Sequence, residues 1–149
     1  FIPNLKRLMI GNRVRLDSEQ DVHALSNALS QNDRLTELGL PELDIHYSYH
    51  IREAARQEQN DMDIPSHPLT SIYSALSSMS NLQHLNLWNA CHSNRADCFQ
   101  RDDLFKKALK RLVSHPTLES LEIPVGFAEL KYFAESFGPN IRRLRILLF

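Results

Sequence analysis

Seven histidines, two cysteines and eighteen acidic side chains are the groups from which a chemical site could be assembled. His46 and His50 stand four residues apart, the spacing at which two imidazoles share a helix face and hold zinc. The intervening Tyr47, Ser48 and Tyr49 are poor helix formers, and no Glu follows the first His to act as a base. Cys91, His92 and Cys98 would give zinc three ligands. Their C-x6-C spacing fits no common finger, no fourth ligand is obvious, and two reduced thiols in an intracellular loop satisfy the same residues. Asp44, Asp61 and Asp63 offer oxygen to a cation without the spacing of a calcium loop. There is no G-x-S-x-G elbow and no phosphate-binding G-x-x-x-x-G-K-[ST] loop, and four glycines leave little backbone to cradle a phosphate. The expectation is a protein without catalytic residues, metal or cofactor. The alternative is a metal-dependent or enzymatic site built on Cys91, His92 and His46.

Recognition chemistry is better supplied. Arg142, Arg143 and Arg145 cluster with only Leu144 between them, a group suited to an acidic partner or phosphate. The same cluster also suits an edge strand guarded by charge. Trp88 is the sole Trp, the residue type most enriched at binding hot spots, and it suits local packing equally well.

The elements that must position these groups come from a repeat. An apolar residue, two variable residues, Leu, one variable residue and then Leu or Ile recur five times. The copies are Leu5-x-x-Leu8-x-Ile10, Leu35-x-x-Leu38-x-Leu40, Leu82-x-x-Leu85-x-Leu87, Leu118-x-x-Leu121-x-Ile123 and Ile141-x-x-Leu144-x-Ile146. Turn-forming residues precede each copy: Pro3-Asn4, Asn32-Asp33, Ser80-Asn81, Pro116-Thr117 and Pro139-Asn140. Helical stripes precede the turns. They are Val22, Leu25, Ala28 and Leu29 after the caps Asp17-Ser18, and then Leu69, Ile72, Ala75 and Leu76. Phe105, Ala108, Leu109 and Leu112 follow Asp102-Asp103, and Leu130, Phe133, Ala134 and Phe137 end at Gly138-Pro139. Strand and helix therefore alternate to a fifth strand.

The run Ala24-Leu25-Ser26-Asn27-Ala28-Leu29 through Leu35-Thr36-Glu37-Leu38-Gly39-Leu40 resembles a leucine-rich repeat of the ribonuclease-inhibitor subtype. Tyr73 to Leu87 and Lys107 to Ile123 resemble further copies. The resemblance implies an α/β solenoid, an open horseshoe arc. About five parallel strands would line its concave face, with helices on the convex face. It also implies a protein that binds other proteins through the inner surface and does not catalyse. The chain departs from the pattern where Asn or Cys is usual after the strand, having Arg13, Leu43, Ala90 and Gly126 there. Turns lacking that ladder must be satisfied in another way. The successive Leu intervals of 30, 47, 36 and 23 residues predict uneven curvature and two insertions, at about 44–67 and 91–101.

If the Leu and Ile positions point to the core, alternation turns their neighbours outward. The outward positions are Arg7, Met9 and Gly11; Glu37, Gly39 and Pro41; His84, Asn86 and Trp88; Ser120, Glu122 and Pro124; Arg143, Arg145 and Leu147. Arg7, Glu37, His84, Asn86, Trp88, Glu122, Arg143 and Arg145 are the candidates for partner contact. The expected function is a non-catalytic protein–protein interaction module: a scaffold, a substrate receptor or an effector. A spacer within a longer solenoid is a further possibility.

Composition agrees. At 149 residues the chain fits one leucine-rich-repeat domain spanning 1–149. The apolar start Phe1-Ile2-Pro3 and apolar end Leu147-Leu148-Phe149 read as a segment of a longer chain. Seventeen basic against eighteen acidic residues argue against a nucleic-acid partner, and no apolar run is long enough for a membrane span. No small-molecule substrate is expected. No Asn-x-Ser/Thr acceptor occurs, which favours an intracellular setting, delivery into a host cell included.

Overall fold

The computed structural model describes residues 4–45, 67–88 and 102–148. Seven strands and four helices occur among them, in a mixed α/β arrangement. The strands are β1 (Arg7–Met9), β2 (Val14–Leu16), β3 (Glu37–Gly39), β4 (Leu43–Ile45), β5 (His84–Asn86), β6 (Ser120–Val125) and β7 (Arg143–Leu148). The helices are α1 (Glu19–Ser30), α2 (Leu69–Ser77), α3 (Asp103–Val113) and α4 (Phe127–Phe133). The main sheet has the order β1-β3-β5-β6-β7, parallel throughout, and a helix precedes each strand after the first.

The register aligns the repeated phrase. Leu8, Leu38, Leu85, Leu121 and Leu144 are Cα partners in sequence across the five strands. Each strand of the main sheet after the first begins in the same way. The amides of Thr36 and Glu37 both donate to the Lys6 carbonyl (2.8 and 3.1 Å), and those of Gln83 and His84 to Thr36 (2.8 and 2.9 Å). Glu119 and Ser120 donate to Gln83 (2.8 and 3.0 Å), and Arg142 and Arg143 to Glu119 (2.9 and 3.0 Å). This placement leaves Leu38, Leu85 and Leu121 at most 2% exposed, in one core with the helix stripes. Two expectations fail at the margins. Leu144 is 41% exposed and Leu8 only half-buried, because among the described residues β7 and β1 each have a neighbouring strand on one side only. Ala28 and Ala134, placed on the helical stripes, face solvent.

The helices start where the sequence caps them. Ser18 Oγ accepts from the Asp21 amide (3.1 Å) while the Asp21 carboxylate accepts from the Ser18 amide (2.9 Å), a reciprocal cap. That bonding to Ser18 holds the Asp21 carboxyl below its ordinary range. Asp102 caps α3 through the Phe105 amide (2.9 Å), and its second oxygen accepts the His67 amide (2.7 Å) just ahead of α2. One carboxylate thus ties two neighbouring helix starts together.

Other side chains do the work expected of an Asn ladder. Thr36 Oγ1 donates to the Lys6 carbonyl (3.0 Å) and Thr117 Oγ1 to that of Leu82 (2.7 Å). Asn81 Nδ2 reaches the Asp33 carbonyl and Asn140 Nδ2 that of Pro116, both at 2.5 Å. Each bond joins a turn to the turn before it, ahead of the strands rather than after them. Where the ladder was expected, Leu43 is buried in β4 and Gly126 caps α4. β2 and β4 form a second parallel pair, with Val14 opposite Leu43 and Leu16 opposite Ile45. Asp44 and Ile45, where the first insertion was expected to begin, therefore lie in a strand. Residues 46–66 and 89–101 lie outside the described residues, and with them most of both insertions.

Two buried groups carry measurable consequences. Ser26, in α1, is 8% exposed and its hydroxyl has no hydrogen-bond partner among the described residues. Ser26→Ala removes an unsatisfied donor and raises helix propensity, so urea unfolding should show a gain of about 1 kcal/mol. A loss of stability would mean that the hydroxyl is satisfied. His115 is 3% exposed; its Nδ1 accepts from the Thr117 amide at 3.3 Å. Burial pushes its pKa below the usual 6.5, opposed in part by a hydrogen bond to the Met79 backbone. The fold therefore favours the neutral ring. This contribution is intact above pH 6.5 and is lost as pH falls through 6.5 toward the lower folded value. His115→Gln should flatten the decline in urea midpoint between about pH 7.5 and 5.5. An unchanged decline would assign it to other groups.

Candidate functional site

Parallel pairing turns the outward residues into rows that cross the strands. Arg7, Glu37, His84, Ser120 and Arg143 occupy one level, and Met9, Gly39, Asn86, Glu122 and Arg145 the next. Neighbouring members of a row sit about 4.8 Å apart along the sheet. Around the first row lies a shallow hollow of about 250 Å³, floored by the strand backbone at Leu38 and Leu85 and reached by both rows from Arg7 to Arg143.

The charges within it are mostly spent. Arg7 Nε meets Glu37 Oε2 at 2.6 Å across β1 and β3. Arg145 reaches Glu122 at 3.5 Å across β7 and β6, and its guanidinium lies 4.0 Å from the centre of the Trp88 ring. Exposed pairs of this kind are worth roughly 0–1 kcal/mol, and stacking on the ring adds a similar amount. They fix the orientation of the side chains more than they stabilise the fold. Asn86 Oδ1 accepts the Trp88 amide (2.9 Å), which bends the chain as it leaves β5. Trp88 is half-buried, with one ring face against Arg145.

The remaining polar groups are unengaged. Among the described residues, the side chains of His84, Ser120 and Arg143 make no hydrogen bond or ion pair, and neither does the amide nitrogen of Asn86. Glu37, His84 and Ser120 stand side by side as acid, imidazole and hydroxyl. No hydrogen bond joins them, however, and Arg7 occupies the carboxylate, so their order alone does not make a nucleophilic relay.

All eight candidate contact residues are described, and seven of them lie on the strands of one open face, with Trp88 at its rim. Two other outward positions are corrected. Gly39 is buried because the Met9 thioether covers it, lying where a Cβ would be. Pro124, in β6, is buried as well, with Leu147 of β7 as its register partner. Sequence reasoning missed the buried imidazoles of His67 and His115. Each stands before Pro and accepts the amide two residues on, Leu69 at 3.1 Å and Thr117 at 3.3 Å. The shared His-Pro pair was the available signal.

The proposed metal ligands His46, His50, Cys91, His92 and Cys98, with Asp61 and Asp63, fall outside the described residues. Asp44 is described and pairs with Arg13 at 2.5 Å. Among the described residues, no group of three or more His, Cys, Asp or Glu side chains could hold a metal ion. No helix among them is long and apolar enough to cross a membrane. Comparisons with protein-family models, curated proteins and solved structures gave no match.

Proposed function

We propose that this chain is a leucine-rich-repeat module of the ribonuclease-inhibitor type that docks a partner protein on the concave, open face of its parallel sheet. The observation that carries the proposal is the repeated strand entry, two amides onto the carbonyl at the same level of the preceding strand, at four successive steps. Such repetition makes a rigid surface whose outward residues vary without disturbing the core. Arg7, Glu37, His84, Asn86, Trp88, Glu122, Arg143 and Arg145 are the contact set in this reading. The partner is a protein met inside the cell. The module does no chemistry of its own and needs no metal or cofactor.

Trp88→Ala tests it. If Trp88 is a contact, titration calorimetry against a purified partner should show a loss of about 2 kcal/mol or more with little change in unfolding midpoint. If the ring is only packing, stability should fall by about 3 kcal/mol and the binding of folded protein should be unchanged.

A second reading is favoured by one observation. Leu144 is 41% exposed at a level where Leu38, Leu85 and Leu121 are covered. A further strand against β7 would bury it, and the chain would then act as a spacer within a longer solenoid.

A further inference from the structure

The unengaged side chains of the open face share one property. His84, Asn86, Ser120 and Arg143 each offer a donor to the same hollow, and none of these donors is used within the described residues. The hollow's two carboxylates are each met by an arginine already, Glu37 by Arg7 at 2.6 Å and Glu122 by Arg145 at 3.5 Å. The donors are also ordered. His84, Ser120 and Arg143 are register neighbours on β5, β6 and β7, and Asn86 follows His84 by one outward step. Their parallel strands place them within about 12 Å of one another. Among the described residues the surface therefore has unmatched donors and one unpaired guanidinium above a floor of strand backbone at Leu38 and Leu85.

We propose that this hollow receives an acidic side chain, the carboxylate of a partner's Asp or Glu, with Arg143 as its charge partner and Ser120 and His84 donating beside it. Guanidinium and carboxylate match in geometry, and charge-assisted bonds of this kind are the stronger class. The volume of about 250 Å³ admits a side chain and a short stretch of peptide, not a folded element. This inference rests on the open face being the docking surface and adds the chemistry of what docks there.

The test uses the protein labelled with 15N and three short peptides that differ at one central residue: Glu, Gln or phosphoserine. In amide and arginine Nε spectra, the Glu peptide should shift Ser120, Arg143 and His84, and the Gln peptide should not. Arg143→Gln should weaken the Glu peptide by about tenfold or more. Arg111→Gln, the same charge change on the helix surface, should leave it unaltered. Equal shifts from the Glu and Gln peptides would overturn the proposal. So would a response to phosphoserine alone, which would assign the hollow to phosphorylated partners, or an equal response to inorganic phosphate, which would make it a site for free anions. If the peptides fail while a whole partner still loses affinity on Trp88→Ala, the acidic contact is wrong and the docking face stands. If both fail, the docking face is wrong as well.

Discussion

Phe105→Ala will lower the unfolding free energy by about 3–5 kcal/mol, the range for deleting a buried aromatic ring. Phe105 is the first buried residue of α3, after the exposed Leu104, and is fully buried. Its ring lies 5.8 Å from Tyr73 of α2, stacked, and 4.7 Å from the His67 ring, tilted. Its amide is the one that Asp102 caps. The residue thus joins two consecutive helices, and its truncation leaves a cavity between them. The urea midpoint should drop with little change in slope. A loss under about 1 kcal/mol would mean that α2 and α3 do not pack through this ring.

Leu85→Ala and Leu144→Ala form the second test, because they occupy the same level of the repeat in different surroundings. Leu85 is 2% exposed between β3 and β6. Its truncation should cost about 2–5 kcal/mol. Leu144 is 41% exposed on the outer strand, so its truncation removes less buried surface and should cost about 1 kcal/mol or less. Equal, large losses would show that a further strand covers β7 and would favour the spacer reading. Equal, small losses would break the alignment of the repeat itself.

Much of this arrangement was legible in the sequence, for a physical reason. A phrase that alternates core and surface positions dictates both strand and register, so Leu38, Leu85 and Leu121 could be assigned to one buried row before any coordinates. The caps at Ser18 and Asp102 were legible because a short acceptor side chain before an apolar stripe has few other uses. The pairing of β2 with β4 was not. Val14–Leu16 and Leu43–Ile45 are as short as β1, β3 and β5 but lie outside the repeated phrase, and three residues alone do not separate a strand from a loop by pattern. The burial of Gly39 depends on where the Met9 thioether goes, which alternation does not encode. Ion pairing was equally hidden. Arg143 and Arg145 look equivalent in sequence, yet only Arg145 finds an acid, because Glu122 is its register partner while Ser120 is that of Arg143.

The open face can be tested as a docking surface by hydroxyl-radical footprinting, with and without a bound partner protein. Met9 and Trp88 react readily and lie on or at the rim of that face, and Met9 is 49% exposed. Phe127 and Tyr132, at 72% and 46% exposure, report on α4 of the helical layer. If the partner docks on the open face, oxidation of Met9 and Trp88 should fall sharply in the complex while Phe127 and Tyr132 react as before. Protection of Phe127 and Tyr132 with Met9 and Trp88 unchanged would place the partner on the helices and contradict the proposed function.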